Sequence, residues 1–225
     1  HGGRNDKSLH WFVTGNVFNE EGWREASPSR VRQTFGKLGW RDGPTDVALT
    51  LSHANNALTG NGMQEERMLA HDYRSVYTQP DETHNRSTLL NLTGKQEIND
   101  NTLFAGNAYY RTMRTRTLNG DVNEGALATS FVDAFPNAEC LQQVQLSGAG
   151  QADEVCTGKI NRSHSQQRNY GFAGQFTWLD ALAGHKNQFT SGLAYDTNRT
   201  DFQQSSEFGY INADRGVTGT QVLDD

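Results

Sequence analysis

No apolar run of roughly 18 residues occurs anywhere in this 225-residue chain, so a membrane-crossing helix is excluded. Apolar residues are scarce altogether, at 34%, and the mean hydropathy is −0.76. Cysteine is nearly absent: Cys140 and Cys156 stand alone. Without a second cysteine pair or a histidine cluster, a structural zinc site does not fit them. They read as one disulfide in an oxidising compartment, closing a loop of about 15 residues worth roughly 3 kcal/mol. Two free thiols are the other reading. Basic residues are outnumbered 20 to 26, giving a net charge of −6, which argues against nucleic acid as a partner. The Gly-x-Ser-x-Gly elbow and the His-Glu-x-x-His motif are both missing, and the seven histidines are scattered. No enzyme activity, metal or cofactor is expected. The chain opens on His-Gly-Gly, without a Met or a signal-like segment. It is expected to be a mature segment or an internal fragment.

What the chain does have is period-2 alternation, the mark of strands with one apolar face. In "NYGFAGQFTWLD", 169–180, Tyr170, Phe172, Phe176 and Trp178 share one parity, and Gly171, Ala173, Gln175 and Thr177 share the other. Six further segments alternate: 8–18, 30–41, 46–53, 85–96, 102–114 and 187–198. Residues 201–225 show no strong periodicity, and a short helical turn fits "MQEERMLAHDYR". The connections alternate between long and short, with long ones at 19–29, 54–84 and 118–168. Up-and-down strands joined this way collect every short turn at one end and every long loop at the other, as outer-membrane barrels do. A barrel also explains the low hydropathy, because only alternate strand residues meet lipid.

The aromatics sort by height on the same scheme. Trp11, Trp40 and Trp178 fall near the short-turn end, and Tyr110, Tyr170 and Tyr195 toward the other. Paired aromatic belts flanking an apolar band mark a membrane barrel, since amphipathic rings settle at the interface. The residues expected to face lipid are Trp11, Trp40, Phe172, Phe176, Trp178, Phe189 and Leu193. The fold class expected is all-β: an antiparallel, up-and-down transmembrane β-barrel segment of about seven strands with long external loops.

The stretches "EEGWREASPSRVRQTFGKLGWRDGPTDVALTLSHANNALTGNG" and "YTQPDETHNRSTLLNLTGKQEINDNTLFAGNAYYRT" resemble the early barrel strands of TonB-dependent outer-membrane receptors. The matching elements are Gly-Trp-Arg at 22–24, Tyr-Thr-x-Pro-Asp at 77–81, Gly-Asn-x-Tyr-Tyr-Arg at 106–111, and the loop cysteines. The resemblance implies a slice, about the first third, of a 22-stranded barrel in the bacterial outer membrane. The whole chain, 1–225, would then belong to a single barrel domain, with neither plug nor final strand present. It also implies uptake of a scarce nutrient such as a ferric siderophore, with three partners. These are membrane lipid or lipopolysaccharide, a small ligand such as a metal chelate, and TonB acting through the missing plug. Large, flat, anionic chelates suit aromatic and Arg side chains on external loops, by stacking and charge. Trp23, Arg24, Tyr73, Arg74 and Tyr77 are the candidates. Two other architectures stay open: a complete small outer-membrane barrel, porin-like or adhesin-like, and a soluble β-sandwich binding module.

Overall fold

The computed structural model describes residues 1–5, 8–64, 66–123 and 157–223. Nine strands form one antiparallel sheet in chain order, each paired with the next. They are β1 (Gly2–Arg4), β2 (Leu9–Glu20), β3 (Ser29–Asp42), β4 (Thr45–Thr59), β5 (Asp81–Asn99), β6 (Thr102–Val122), β7 (Thr157–Leu182), β8 (His185–Ile211) and β9 (Val217–Leu223). A short helix, α1 (Glu66–His71), sits in the β4–β5 connection, where a helical turn was expected. Consecutive pairing throughout is an up-and-down order. It replaces the Greek-key connections of the sandwich alternative.

Two expectations need correcting. Among the described residues the strands number nine, not about seven, because the short β1 and the terminal β9 carry too little alternation to be read. The strands also run further than their alternation. Residues 54–59, 118–122, 157–168 and 201–211, assigned to loops or tail, belong to the ladder. Alternation needs one apolar face. Where both faces are polar the backbone ladder persists and the pattern vanishes.

The hairpins turn tightly. Ala183 and Gly184 link Leu182 to His185 with φ of 52° and 79°, positive at both central positions as a type I′ turn requires. Alanine is poorly suited to that conformation and asparagine tolerates it. Ala183→Asn should therefore stabilise the fold by a few tenths to about 1 kcal/mol, read as a raised urea midpoint.

Pairing register builds the apolar face row by row. Trp11, Leu38, Leu49, Leu92, Ala108, Phe172 and Tyr195 are successive direct partners across seven strands. The next row holds Val13, Gly36, Leu51, Leu90, Tyr110 and Tyr170. On the opposite face, Asn16, Gln33, Ala54, Ser87, Met113, Gln167 and Thr200 form an uncharged row. The apolar rows are exposed: Leu38 at 51%, Leu92 at 47%, Phe172 at 49%. An apolar surface this continuous marks an interaction face, not ordinary scatter. Side-chain burial is concentrated elsewhere. Ile160, Ile211 and Val217, with Leu118 and Val122 against them, close a small core at the far end of β6–β8.

The register also measures tilt. One row passes through Trp40, Val47, Gly94, Gly106 and Gly174. Beyond it the strands continue for two residues in β3, to Asp42, five in β5, to Asn99, and eight in β7, to Leu182. The hairpin ends thus step by three residues for every two strands. At about 3.3 Å per residue and about 4.8 Å between strands, that is a tilt of about 45°. Trp178 lies four residues below Gly174, four strands on from Trp40. That stagger corresponds to about 35°, and both values match the strand tilt of closed membrane barrels. Residues related by roughly one position per strand therefore share a height, and the three strand tryptophans do so.

Candidate functional site

At the end opposite the tight turns, residues 21–28 and 60–80 converge. Gly22, at φ 77°, turns the chain out of β2 where a side chain would collide with Ser27. The Ser27 hydroxyl donates to the Arg24 carbonyl at 2.7 Å, and the Glu25 amide donates to the Arg74 carbonyl at 2.8 Å. Arg24 Nη1 donates to the Gly62 carbonyl at 3.0 Å. After α1, Asp72 accepts from the Arg74 amide at 2.8 Å, an Asx turn that sets the exit angle of the segment.

These bonds bring Trp23 and Tyr73 together. Their rings stack at 6.2 Å and 11° between planes, while the Arg24 guanidinium lies 5.0 Å from the Trp23 ring centroid. Trp23 is 60% exposed and Tyr73 65%, so the stack is held from below and open above. Open ring faces can stack on a flat group, and a guanidinium beside them can take an anion's oxygens.

Three of the five candidates, Trp23, Arg24 and Tyr73, thus bring their side chains into one cluster, and Arg74 joins it through its backbone carbonyl. Tyr77 does not join them. Its ring lies 4.9 Å from the Arg215 guanidinium, and Arg215 Nε donates to its carbonyl at 2.6 Å. Gln79 fastens the same junction, its amide bonding the Arg215 carbonyl at 3.0 Å and its carbonyl the Val217 amide at 2.8 Å. Burial holds Arg215 below the ordinary arginine range, opposed by Tyr77. Arg215 lies in the stretch without periodicity, and no signal in the sequence singles it out.

Two hollows adjoin across Gly62. One, of about 410 Å³, is lined by Trp23, Arg24, Ser27 and Asn61. The other, of about 480 Å³, is lined by Met63, Gln64, Tyr77, Asp81 and Asp121. Burial, then the charge of Asp121, raises the Asp81 carboxyl above its ordinary range, with a hydrogen bond to Asn119 opposing them. The first hollow also holds Glu20, so Arg24 is balanced there by a carboxylate, whereas the second is acidic. Among the described residues no group of three His, Cys, Asp or Glu side chains is placed to hold a metal.

The residues expected to face lipid all lie exposed on the apolar face, from Trp11 at 37% to Leu193 at 66%. Trp40, Phe172, Phe176, Trp178 and Phe189 fall between them. Their rings form a lattice: Phe176–Trp178 at 5.7 Å, Trp178–Phe189 at 5.8 Å, Phe172–Tyr195 at 5.9 Å. No helix among the described residues is long and apolar enough to cross a membrane, which says nothing of strands. Cys140 and Cys156, and with them the expected disulfide, lie outside the described residues.

No family model and no curated protein matches the chain. Solved structures do. The unliganded ferric citrate transporter FecA superposes with a TM-score of 0.68 at 12% identity, over 99% of this chain and 28% of that one. The siderophore receptor PiuA from Acinetobacter baumannii gives 0.60 at 10% identity, over 97% and 30%. The chain therefore spans under a third of the length of either. Identity this low speaks for the fold alone, and the fold agrees with the expected one. The chain has the fold of part of the ferric citrate transporter FecA and of the siderophore receptor PiuA.

Proposed function

We propose that the chain is part of the barrel domain of an outer-membrane receptor, and that it serves TonB-dependent uptake of an anionic metal chelate such as a ferric siderophore. The observation that carries the ligand reading is the open stack of Trp23 and Tyr73 with Arg24 beside it. It stands at the end where the long connections gather, above a sheet whose exposed apolar face suits lipid. The named functions of FecA and PiuA support the substrate class. A receptor must grip a dilute solute, and grip costs less when the contact surface is already ordered. The backbone bond from Glu25 to Arg74 and the side-chain bond from Arg24 to the Gly62 carbonyl supply that order. TonB would act through a plug.

The test is binding of ferric citrate, hydroxamate and catecholate chelates to the intact parent protein. Trp23→Ala should weaken the best of them by about tenfold or more, the loss of one stacked ring in a desolvated contact, with folding unchanged. Unchanged affinity for every chelate, or uptake that continues without TonB, would sink the proposal in favour of a passive pore.

A further inference from the structure

Asparagine followed by glycine leaves its side chain open to attack by the next backbone amide, because glycine neither crowds that nitrogen nor restricts the turn. The pair occurs twice in the chain, at Asn61–Gly62 and Asn119–Gly120, in opposite surroundings. Gly120 is buried in β6, and its amide donates to the Pro80 carbonyl at 2.7 Å. Asn119 Oδ1 accepts from Asn161 Nδ2 at 3.3 Å, and Asn119 pairs in register with Asp81 and Asn161. That backbone is held extended from both sides. Asn61–Gly62 lies after β4, outside every strand and helix. Gly62 is exposed, its amide makes no hydrogen bond among the described residues, and a Cβ added there would meet nothing within 4 Å. Asn61 Oδ1 is buried without a hydrogen-bond partner. Anchors stand on either side: the Gly60 amide donates to the Asp81 carbonyl at 2.8 Å, and the Gly62 carbonyl takes Arg24 Nη1 at 3.0 Å. Between them the Asn61–Gly62 peptide is free to turn, and turning an unbonded loop segment costs little.

We infer that Asn61 is a site of spontaneous deamidation, and that the carboxylate it yields lowers the affinity of the Trp23 hollow for anions. The Gly62 amide nitrogen attacks Asn61 Cγ. An N–Cγ bond forms, the Cγ–Nδ2 bond breaks, and ammonia leaves carrying the amide proton. Water then opens the resulting succinimide ring at either carbonyl, giving aspartate or isoaspartate. On balance water enters and ammonia leaves, with no change of oxidation state.

The consequence follows from what surrounds Asn61. It lines the hollow of Trp23 and Arg24, where Glu20 already offsets the guanidinium. A second carboxylate makes that hollow net negative and competes for Arg24. Isoaspartate also adds a carbon to the main chain between Gly60 and Gly62, which shifts the carbonyl that holds Arg24. Either product disfavours an anion at the Trp23–Tyr73 stack. This effect on binding rests on the ligand reading above, whereas the reaction at Asn61 does not.

The intact parent protein, held in detergent at mildly alkaline pH and physiological temperature for several days, should convert Asn61 at least about tenfold faster than Asn119. Peptide mass spectrometry locates the change, and labelling by isoaspartyl methyltransferase measures the isoaspartate fraction. Gly62→Ala, whose methyl group fits the open space but crowds the attacking nitrogen, should slow conversion by about tenfold or more. Affinity for the best bound of ferric citrate, hydroxamate and catecholate chelates should be measured before and after incubation. It should fall at least about threefold in the wild type and hold in Gly62→Ala. No conversion at Asn61, or conversion no faster than at Asn119, would overturn the inference. Conversion with affinity unchanged, or an equal fall in Gly62→Ala, would overturn the effect on binding. A protein that binds none of the chelates before incubation counts against the proposed function, and the mass measurement still decides the modification.

Discussion

Replacing Leu92 with Arg should destabilise the inserted protein by roughly 2–4 kcal/mol, whereas Gln175→Arg should cost under about 0.5 kcal/mol. The height of Leu92 follows from register. On β7 the apolar span runs from Trp178 to Tyr170, and Gly174 is its midpoint. Gly174 pairs through Gly106 to Gly94 on β5, and a stagger of one residue per strand raises that level to Leu92. From Trp178 to Tyr170 is about 20 Å along the barrel axis at this tilt, close to the apolar band of about 25 Å in outer-membrane barrels. A guanidinium at Leu92 would sit deepest in hydrocarbon. Gln175 has the opposite parity and lines a hollow of about 680 Å³ with Asn107, Ala173 and Ala194. Urea titration of the parent protein refolded into vesicles reads both effects. A costly Gln175→Arg with a neutral Leu92→Arg would mean that the two faces are assigned the wrong way round.

What could be read from the sequence follows the same division by environment. Between Trp178 and Tyr170 one face is apolar and the other is not, so a period of two remains and the strand is plain. Above Tyr170 both faces of β7 are wet, and Arg162, Ser163, His164, Ser165 and Gln166 look like a loop while pairing residue for residue with β8. The β8 strand is 27 residues long, about 16 more than a bilayer crossing needs, an excess of roughly 40 Å along the barrel axis at this tilt. The stack at Trp23 was half legible. Residue types suited to a flat anion pointed to Trp23 and Tyr73, but only the bonds from Glu25 to Arg74 and from Arg24 to Gly62 show that the two loops meet. Tyr77 had the right chemistry and a different neighbour, Arg215, which lies 138 residues away in sequence.

Excising residues 124–156 and joining the strands by a two-residue turn should leave the barrel assembled and abolish high-affinity uptake by the parent protein. The boundaries come from the ladder, and they are narrower than the 118–168 gap seen in the sequence. Val122 pairs with Gly158, the Asn123 amide donates to the Thr157 carbonyl at 3.0 Å, and the Thr157 hydroxyl donates to the Asn123 carbonyl at 3.0 Å. Thr157 is 2% exposed and Asn123 3%, and their two mutual hydrogen bonds close the neck. Register between β6 and β7 is fixed by 21 paired positions below that neck. All of these pairs lie outside the 33 residues removed. Loop length itself is a small term, since closure entropy changes by only about 0.6 kcal/mol for each doubling. Assembly, followed by heat-modifiable mobility on gels, should match wild type within error. Uptake should not. A segment of this size, with Cys140 and Cys156 proposed to staple it, is what a receptor would extend over its solute from the tallest part of the wall. Mass spectrometry of the protein alkylated without reductant checks the staple separately, and labelling of both thiols would refute it. If the excised protein assembles and still takes up its chelate at wild-type affinity, recognition resides wholly at Trp23 and Tyr73, and the proposed role for residues 124–156 is wrong.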